Sequence, residues 1–442
     1  MADQQFFNAV AAVWGIPAPG PANLFQHPAF VELAEMCRAR FGGHSLTFSL
    51  SAALDNLGLH SRFRGQPELA ETAESAGWQL ATALSRQRGR RRYLCPLDLA
   101  DDLPPLNFGL ARLGQFSTTE ISSLFDQRRL ERHYPRWPLD AARLAQFNWL
   151  VVEEEYDLDP NHERRAVPIL FADLRQDLGE VNPHRSIFPP AVEDALLGLS
   201  LLPWEQWSSR IMQETEWRGF RIPWAYTVDD DLCLRPARPP DPDTLTWQPY
   251  FVPDGWGGEE ERERPVYLTL ADEAQPTISR LDNQAWARLM EARDKPLFET
   301  PIAHFMVKAF QSEKMDEFLS HITAIEAAVG VVGDHKRNKR HPLDRHKLNA
   351  TKRLKARIAG LLMDPAAGQQ FSDLFDLRSG FVHGRGGLLP ISTRDRVRAR
   401  ELARRIVVAL VDLAGHMSGT REDAMLTLLD KGALLLGGNP GP

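Results

Sequence analysis

Three polar residues close together in the sequence, Arg378, Ser379 and His383, have the side-chain types needed to cut RNA without a metal ion. A histidine can move a proton near neutral pH, as a general base on a 2′-hydroxyl or as a general acid on the leaving 5′-oxygen. An arginine can stabilise the negative charge that develops on phosphorus. The serine would orient the site by hydrogen bonding. Such a reaction would leave a 2′,3′-cyclic phosphate and a 5′-hydroxyl.

The spacing of this arginine and histidine is not specific by itself. Similar spacings occur at three other places in the chain: Arg38 and His44, Arg128 and His133, and Arg340 and His346. The copy at Arg378 differs in its context, because it follows an apolar helical run at residues 371–377 and its histidine is followed directly by Gly384. The interpretation therefore depends on the last third of the chain.

The length and composition exclude several classes of protein. A chain of 442 residues is too long for one ordinary hydrophobic core, which predicts two or three domains. Its formal charge of −7 predicts no overall attraction to nucleic acid. Cys37, Cys95 and Cys233 are too far apart for a zinc ribbon or a disulfide framework. Because we find no basic leader and no apolar stretch of about 18 residues, we expect a cytoplasmic protein without membrane association. We also expect no metal, since His335, His341 and His346 do not follow metal-ligand spacing and have no cysteine partners, and we expect no cofactor.

The sequence predicts an α+β multidomain protein whose composition changes near residue 275. Residues 1–275 form a mixed α/β region, residues 290–425 an all-α helical bundle, and residues 434–442 a disordered tail. The predicted strands are Ser45–Ser49, Trp149–Val152, Val167–Phe171, Phe220–Val228, Thr246–Val252 and Val266–Leu270. The predicted helices of the first region are Pro28–Phe41, Pro67–Gln87, Thr119–Arg132 with a capping box at Ser117 and Glu120, and Ala191–Leu199.

The last third is predicted to contain four helices that carry the charged candidates. They are Glu313–Val329 capped by Ser312, Leu343–Leu362, Gly368–Val382 and Thr393–Met417. Glu326 lies on or beside the apolar stripe of the first, where a carboxylate needs a partner such as Arg378. The candidate contacts to an RNA backbone are Lys336, Arg337, Lys339, Arg340, Lys352, Arg353 and Arg385. The last helix begins with six arginines that a phosphate chain would offset: Arg394, Arg396, Arg398, Arg400, Arg404 and Arg405.

This order of elements resembles the HEPN superfamily, and within it the Apea-like HEPN domains. The resemblance covers residues 295–420 and is carried by Ala324-Ile-Glu-Ala327, the basic helix, the run Leu374-Phe-Asp-Leu-Arg-Ser-Gly-Phe-Val-His-Gly384 and the long last helix. It implies an antiparallel four- or five-helix bundle that forms homodimers and acts as a metal-independent endoribonuclease, with RNA as the partner. It also implies Arg378, Ser379 and His383 as catalytic residues, Glu326 as a supporting residue, and a role in bacterial stress or phage defence.

The helix that carries the motif raises a geometric problem. On a straight helix, residues five apart lie about 140° apart around the axis and about 7.5 Å apart along it, so Arg378 and His383 do not share a face. The helix could distort at Gly380, a departure from the family pattern, and end at Gly384. Alternatively, a two-fold dimer brings the motif of one subunit against its partner, which the resemblance favours.

A non-catalytic adaptor is the competing hypothesis. The same bundle would then dimerise and hold RNA, a nucleotide or a partner protein, with Glu326 as a helix-packing ion pair and the basic residues as a solvated surface. In either case residues 1–275 are assigned a sensor or regulatory role with a ligand or partner of their own, by analogy alone. Arg86–Arg92 is predicted as a loop, and Glu153–Asp159 as a solvated turn.

Overall fold

The structure, a computed structural model, describes residues 2–18, 20–21, 23–42, 46–63, 71–100, 103–171, 177, 187–207, 218–253, 256, 258–383 and 390–437. The described helices are α1 (Ala2–Trp14), α2 (Pro28–Phe41), α3 (Thr47–Asn56), α4 (Leu59–Phe63), α5 (Ala73–Ser85), α6 (Thr118–Leu124), α7 (Gln127–His133), α8 (Ala141–Leu144), α9 (His162–Ala166), α10 (Pro190–Ser200), α11 (Trp204–Trp207), α12 (Ala274–Ile278), α13 (Asn283–Arg293), α14 (Ile302–Gln311), α15 (Lys314–Val329), α16 (Ala350–Leu362), α17 (Pro365–His383), α18 (Thr393–Ala414) and α19 (Arg421–Leu435). The strands are β1 (Arg88–Leu97), β2 (Leu106–Phe108), β3 (Ala111–Gln115), β4 (Asn148–Asp157), β5 (Tyr226–Asp229), β6 (Trp247–Pro253) and β7 (Glu259–Pro265).

The α+β chain forms two compact units whose segments alternate along the sequence. The first unit comprises residues 1–96, 115–180 and 223–265, and the second comprises 97–114, 181–222 and 266–442. The sequence predicted one break near residue 275. A division does lie at 265–266, but two earlier segments belong to the unit that contains the last third of the chain.

In the first unit a basic strand and an acidic strand lie side by side. β1 lies between β4 and β5, and it pairs antiparallel with β5. Three ion pairs join β1 to β4: Arg88 to Asp157 at 3.6 Å, Arg90 to Glu155 at 3.3 Å and Arg92 to Glu153 at 2.9 Å. The loop predicted at Arg86–Arg92 and the turn predicted at Glu153–Asp159 are therefore largely wrong, because most of both segments lies in neighbouring strands whose charges offset each other.

The start of α3 shows why a predicted strand is a helix. Residues Ser45–Ser49 were predicted to be extended, but α3 begins at Thr47. Glu163 accepts hydrogen bonds there from the backbone N–H groups of Phe48 at 3.0 Å and Ser49 at 3.3 Å. A carboxylate at a helix N-terminus stabilises the helix, and this one comes from 114 positions further along the chain. A local sequence pattern contains no sign of such a cap.

Three predicted helices of the first region show what local signals can and cannot predict. α2 has the predicted bounds, and α10 differs from its prediction by one residue at each end. The capping box is confirmed, since Glu120 N–H donates to Ser117 Oγ and Ser117 N–H donates to Glu120 Oε2. However, the predicted helix Thr119–Arg132 is divided into α6 and α7, because Asp126 adopts a left-handed φ of 50°.

The strand predictions have mixed outcomes. β4 and β6 confirm two of them. Three other predicted segments differ: Val167–Phe171 contains a 3-10 helix at Pro168–Phe171 in which Ile169 and Leu170 are exposed, Phe220–Val228 forms a strand only from Tyr226, and Val266–Leu270 forms no strand of its own. Of the predicted helix Pro67–Gln87, residues 67–70 lie outside the described part, and α5 begins at Ala73.

The second unit is mainly helical. α14 packs against α15, α15 against α18, and α16 against both α17 and α19. α16 and α19 approach each other through glycines: a Cβ on Gly432 would lie 1.6 Å from the carbonyl oxygen of Ala356, and one on Gly360 would lie 2.2 Å from that of Leu428. A larger residue at either position would force the two helices apart.

The four helices predicted in the last third all occur, and three of them start at a different residue. α15, α17 and α18 agree with the predictions to within three residues at each end, but Ser312 does not cap α15, which has Glu313 at its N-cap. α16 begins at Ala350 rather than Leu343, because Asn349 accepts a hydrogen bond from the N–H of Lys352. The segment predicted as a tail, 434–442, includes the end of α19, and residues 438–442 lie outside the described part. None of the described helices is long and apolar enough to cross a membrane.

Candidate active site at the end of helix α17

The buried face of α17 determines which motif residues point inward. Phe371 and Leu374 are fully buried in the second unit. Arg378 follows Leu374 by four residues and so lies on the same side of the helix. His383 follows Leu374 by nine residues, which places it about 180° away around the axis. The fold therefore directs the arginine toward the bundle and the histidine away from it.

Arg378 meets the carboxylate that the sequence suggested as its partner. Its Nη2 lies 3.9 Å from Oε2 of Glu326 on α15, and both side chains are partly exposed, at 27% and 29%. Its guanidinium carbon also lies 5.8 Å from the centre of the Phe375 ring. The separation is at the upper limit for an ion pair, so the pair holds the arginine loosely. Arg378 can therefore exchange this partner for another anion at small cost.

Glu326 has a perturbed acidity. Burial raises the pKa of its carboxyl above the ordinary value of 4.5, and the positive charges of Arg378 and His335 oppose that rise without cancelling it. His335 is exposed and follows the end of α15. This second histidine was not among the predicted site residues. Sequence reasoning missed His335 because it belongs to no motif, and because only the path of the turn after α15 brings its charge near Glu326.

His383 is the last residue of α17 and is exposed. Ser379 is partly buried, and Gly384 lies outside the described residues. α17 is continuous through Gly380, so the helix distortion proposed to join Arg378 and His383 does not occur up to residue 383. The structure brings Arg378 and Glu326 together within one chain, but it does not bring His383 to them.

Buried ion pairs hold the end of α15, where Glu326 lies. Asp334, in the turn after α15, accepts hydrogen bonds from Arg353 at 2.9 Å and from Arg357 at 2.6 and 2.9 Å. Arg357 also donates to the carbonyl of Val329. Arg421 of α19 donates to the carbonyls of Ala327 and Ala328 in the last turn of α15 and to that of Gly330, the residue after the helix. These bonds satisfy carbonyl groups that a helix end otherwise leaves unpaired.

The residues predicted to contact RNA separate into exposed and buried groups. Lys336, Arg337, Lys339 and Lys352 are exposed. Arg340 is partly buried and donates to the carbonyl of Gly333. The prediction for Arg353 is wrong for this fold: its side chain is 2% exposed, because it is paired with Asp334 and Asp344. Arg385 lies outside the described residues.

The arginines of α18 are mostly neutralised by the protein itself. The sequence suggested that a phosphate chain would offset them. Instead, carboxylates lie near five of the six: Glu317 near Arg396 and Arg400, Asp373 and Asp395 near Arg398, Glu205 near Arg404, and Asp364 near Arg405. Arg394 is exposed. These arginines therefore hold helices together, and Arg394 alone is left as a candidate for a backbone contact.

Two further features concern metal and thiol chemistry. Within the described residues, no three His, Cys, Asp or Glu side chains cluster in a way that would hold a metal ion. Cys37, Cys95 and Cys233 are buried free thiols. Burial raises the pKa of Cys37 and of Cys233 to about 12, which makes both poor nucleophiles at neutral pH.

The chain was compared with protein-family models, curated proteins and solved structures. No match was found. The function must therefore be argued from the residues and their geometry.

The raised pKa of Glu326 predicts that its charge does not stabilise the fold. We expect Glu326→Gln to raise the free energy of unfolding at pH 7 by about 0.5 kcal/mol or leave it unchanged, since the folded protein disfavours the charged form. The sign follows from linkage: a carboxyl with a raised folded-state pKa loses stability as pH rises above its unfolded value of 4.5. Urea denaturation at pH 4 and pH 7 measures this, and the variant should gain most at pH 7.

Glu317 on the same helix provides the control. It is buried beside Arg396 and Arg400, so Glu317→Gln should cost about 3 kcal/mol. A large loss of stability in Glu326→Gln would show that Glu326 is a structural ion pair like Glu317.

Substituting alanine for Gly380 and for Gly360 should change the stability of the protein in opposite directions. A Cβ at Gly380 would meet nothing within 4 Å, so Gly380→Ala should raise the free energy of unfolding by about 0.5–1 kcal/mol through helix propensity. Gly360→Ala, on α16, should instead destabilise by about 1–3 kcal/mol or more, because its Cβ would overlap a backbone carbonyl. Thermal denaturation of both variants tests this. A destabilised Gly380→Ala would mean that α17 departs from helical geometry at Gly380.

Proposed function

We propose that this protein is a metal-independent endoribonuclease of HEPN type that acts in the cytoplasm as a homodimer. The observation that carries the proposal is the placement of the motif: an exposed imidazole ends α17, and a loosely paired guanidinium lies five residues earlier on another side of the helix. One group is accessible for proton transfer and the other can change its partner for a phosphate. Both properties are needed for attack by a 2′-hydroxyl.

A dimer supplies what one chain lacks. Arg378 and His383 lie on different sides of α17, so the arginine of one subunit and the histidine of its partner would complete each site. Two apolar side chains beside His383 support an interface here, since Phe381 is 37% and Val382 48% exposed. Exposed apolar residues next to polar functional groups are typical of surfaces that become buried on association.

The exposed cations provide the electrostatic contact that RNA binding needs. Arg337 and Lys339 lie in the short 3-10 helix Arg337–Lys339, and Lys336 directly precedes it, close in sequence to His335 and Asp334. Lys352 is exposed in the first turn of α16. Lysine and arginine side chains of this kind bind a phosphate backbone with little sequence preference and with strong salt dependence. The proposal extends by analogy to a stress or phage-defence effector, with residues 1–275 as its sensor or regulatory region.

A non-catalytic adaptor is favoured by one specific observation. Within a single chain Arg378 faces Glu326 and His383 faces solvent, so the two are not in contact. In that case the bundle would hold RNA, a nucleotide or a protein through the same exposed cations, and the motif would be a structural feature of α17.

The experiment that separates the two functions uses RNA in the presence of EDTA. We expect the purified protein to cut a labelled oligoribonucleotide and to leave 2′,3′-cyclic phosphate ends. An oligonucleotide with 2′-O-methyl groups at every position should stay intact, because the attacking hydroxyl is blocked. Binding without cleavage would support the adaptor, and products with a 3′-hydroxyl end would rule out the proposed chemistry.

A further inference from the structure

A cleft in the second unit lies away from the motif and has no role in the proposed cleavage. Its free volume is about 250 Å³, and it is bordered by α10, α12, α13 and α18 together with the segments that follow α10 and α12. Leu202, Leu281, Leu289 and Val411 form much of its apolar lining. A cavity of about 150 Å³ lined by similar residues admits benzene, so this cleft is large enough for a chain of about eight carbon atoms.

Two arginines border the same cleft. Arg280 and Arg288 line it and are both exposed. In the part of the chain that the structure describes, neither has an ion-pair partner, unlike Arg293 further along α13, which pairs with Asp194. An apolar surface that ends at two available guanidiniums is complementary to a molecule with an apolar body and a negative head.

A third charged residue limits the charge of that molecule. Asp412 on α18 also lines the cleft, so the three charged side chains sum to one positive charge. Repulsion from Asp412 would disfavour phosphates and other multiply charged anions, whereas a single carboxylate matches the net charge. The planar fork of an arginine also fits a carboxylate with two parallel hydrogen bonds.

We propose that this cleft binds a small amphipathic carboxylate, with its apolar chain among the leucines and its carboxylate held by Arg280 and Arg288. The inference does not depend on the proposed nuclease function, since it concerns other residues and its test measures binding. A peptide segment or a second copy of this chain would use the same apolar surface, but neither requires the two arginines.

The test is calorimetric titration of the full chain with octanoate and with 4-phenylbutyrate. We expect sub-millimolar binding of at least one of them to the wild type, and at least tenfold weaker binding of octan-1-ol, which lacks the charge.

The variants separate the charged from the apolar part of the cleft. Arg280→Gln combined with Arg288→Gln should weaken carboxylate binding at least tenfold and leave the affinity for octan-1-ol unchanged. Ala285→Leu, which narrows the cleft, should weaken both ligands. Lys295→Gln, beyond the end of α13, is the control for the loss of a positive charge outside the cleft and should bind as the wild type does.

Three results would overturn the inference. The first is no binding of either carboxylate to the wild type, and the second is unchanged binding in the double arginine variant. The third is a wild-type dimer that Ala285→Leu converts to a monomer in sedimentation, which would identify a second copy as the occupant. The double arginine variant changes only exposed side chains, so it should fold even if Ala285→Leu does not. Its binding measurement is therefore sufficient by itself to test the inference.

Discussion

Replacing His383 by alanine is expected to slow RNA cleavage by about two to four orders of magnitude, the usual effect of removing a general acid or base. His383 is exposed at the end of α17, so its loss should leave the fold and the affinity for RNA nearly unchanged. Single-turnover cleavage in EDTA measures the rate, and filter binding measures the affinity. Free imidazole should restore part of the rate, because an exposed site admits it.

Two controls make this result specific. His416→Ala removes an exposed histidine from the turn after α18 and should cleave at the wild-type rate. A one-to-one mixture of Arg378→Ala and His383→Ala chains, unfolded and refolded together, should recover about a quarter of the wild-type activity if each site takes one residue from each subunit. Equal cleavage by wild type and His383→Ala would refute the nuclease proposal, and inactivity of the refolded mixture would refute the shared site.

The Asp334→Asn substitution is expected to lower the free energy of unfolding at pH 7 by about 3–5 kcal/mol, since it leaves Arg353 and Arg357 buried without that negative charge. Burial alone would raise the pKa of this carboxyl, but hydrogen bonds from Arg357 and Arg353 and the charge of Arg357 outweigh it, so the pKa is lowered from 3.8. A lowered folded-state pKa gives stability above the unfolded value that is lost as pH falls through the folded one. Urea denaturation should therefore show a difference between wild type and variant that shrinks below pH 3.8.

Asp430→Asn is the matched control for Asp334→Asn. Asp430 pairs with His346 at 2.7 Å, but its side chain is 57% exposed, so the substitution should cost less than about 1 kcal/mol. Because the Asp334 pairs hold the turn after α15, Asp334→Asn should also disturb the contact between Glu326 and Arg378. A loss of stability no larger than that of Asp430→Asn would show that the buried arginines find other partners.

Local signals in the sequence were sufficient for much of the candidate site. Periodic apolar residues predicted α15, α17 and α18 to within three residues, and a lone carboxylate on the stripe of α15 predicted that Glu326 would need a basic partner. The contact with Arg378 agrees with that reasoning. The role of His335 beside Glu326 was not predictable, because it depends on the path of the turn after α15.

The surroundings of the charged side chains were the least predictable feature of the structure. A run of lysines and arginines is identical in sequence whether it faces solvent or a buried aspartate, and Arg353 was assigned to RNA although it is buried beside Asp334. The basic and acidic segments of the first unit were assigned to a loop and a turn for the same reason. A run of like charges is unfavourable in an isolated strand, but opposite charges on the neighbouring strand stabilise both segments.

The sequence by itself determined the positions of α2, α15, α17 and α18 and the chemical types of Arg378, Ser379 and His383, because helix periodicity and side-chain chemistry are local properties. Only the tertiary structure decided which side of α17 faces the bundle, and with it that Arg378 meets Glu326 while His383 remains exposed. It also decided that most arginines of α18 are neutralised within the protein. Partners distant in sequence set these features, since burial and ion pairing depend on which surfaces the folded chain brings together.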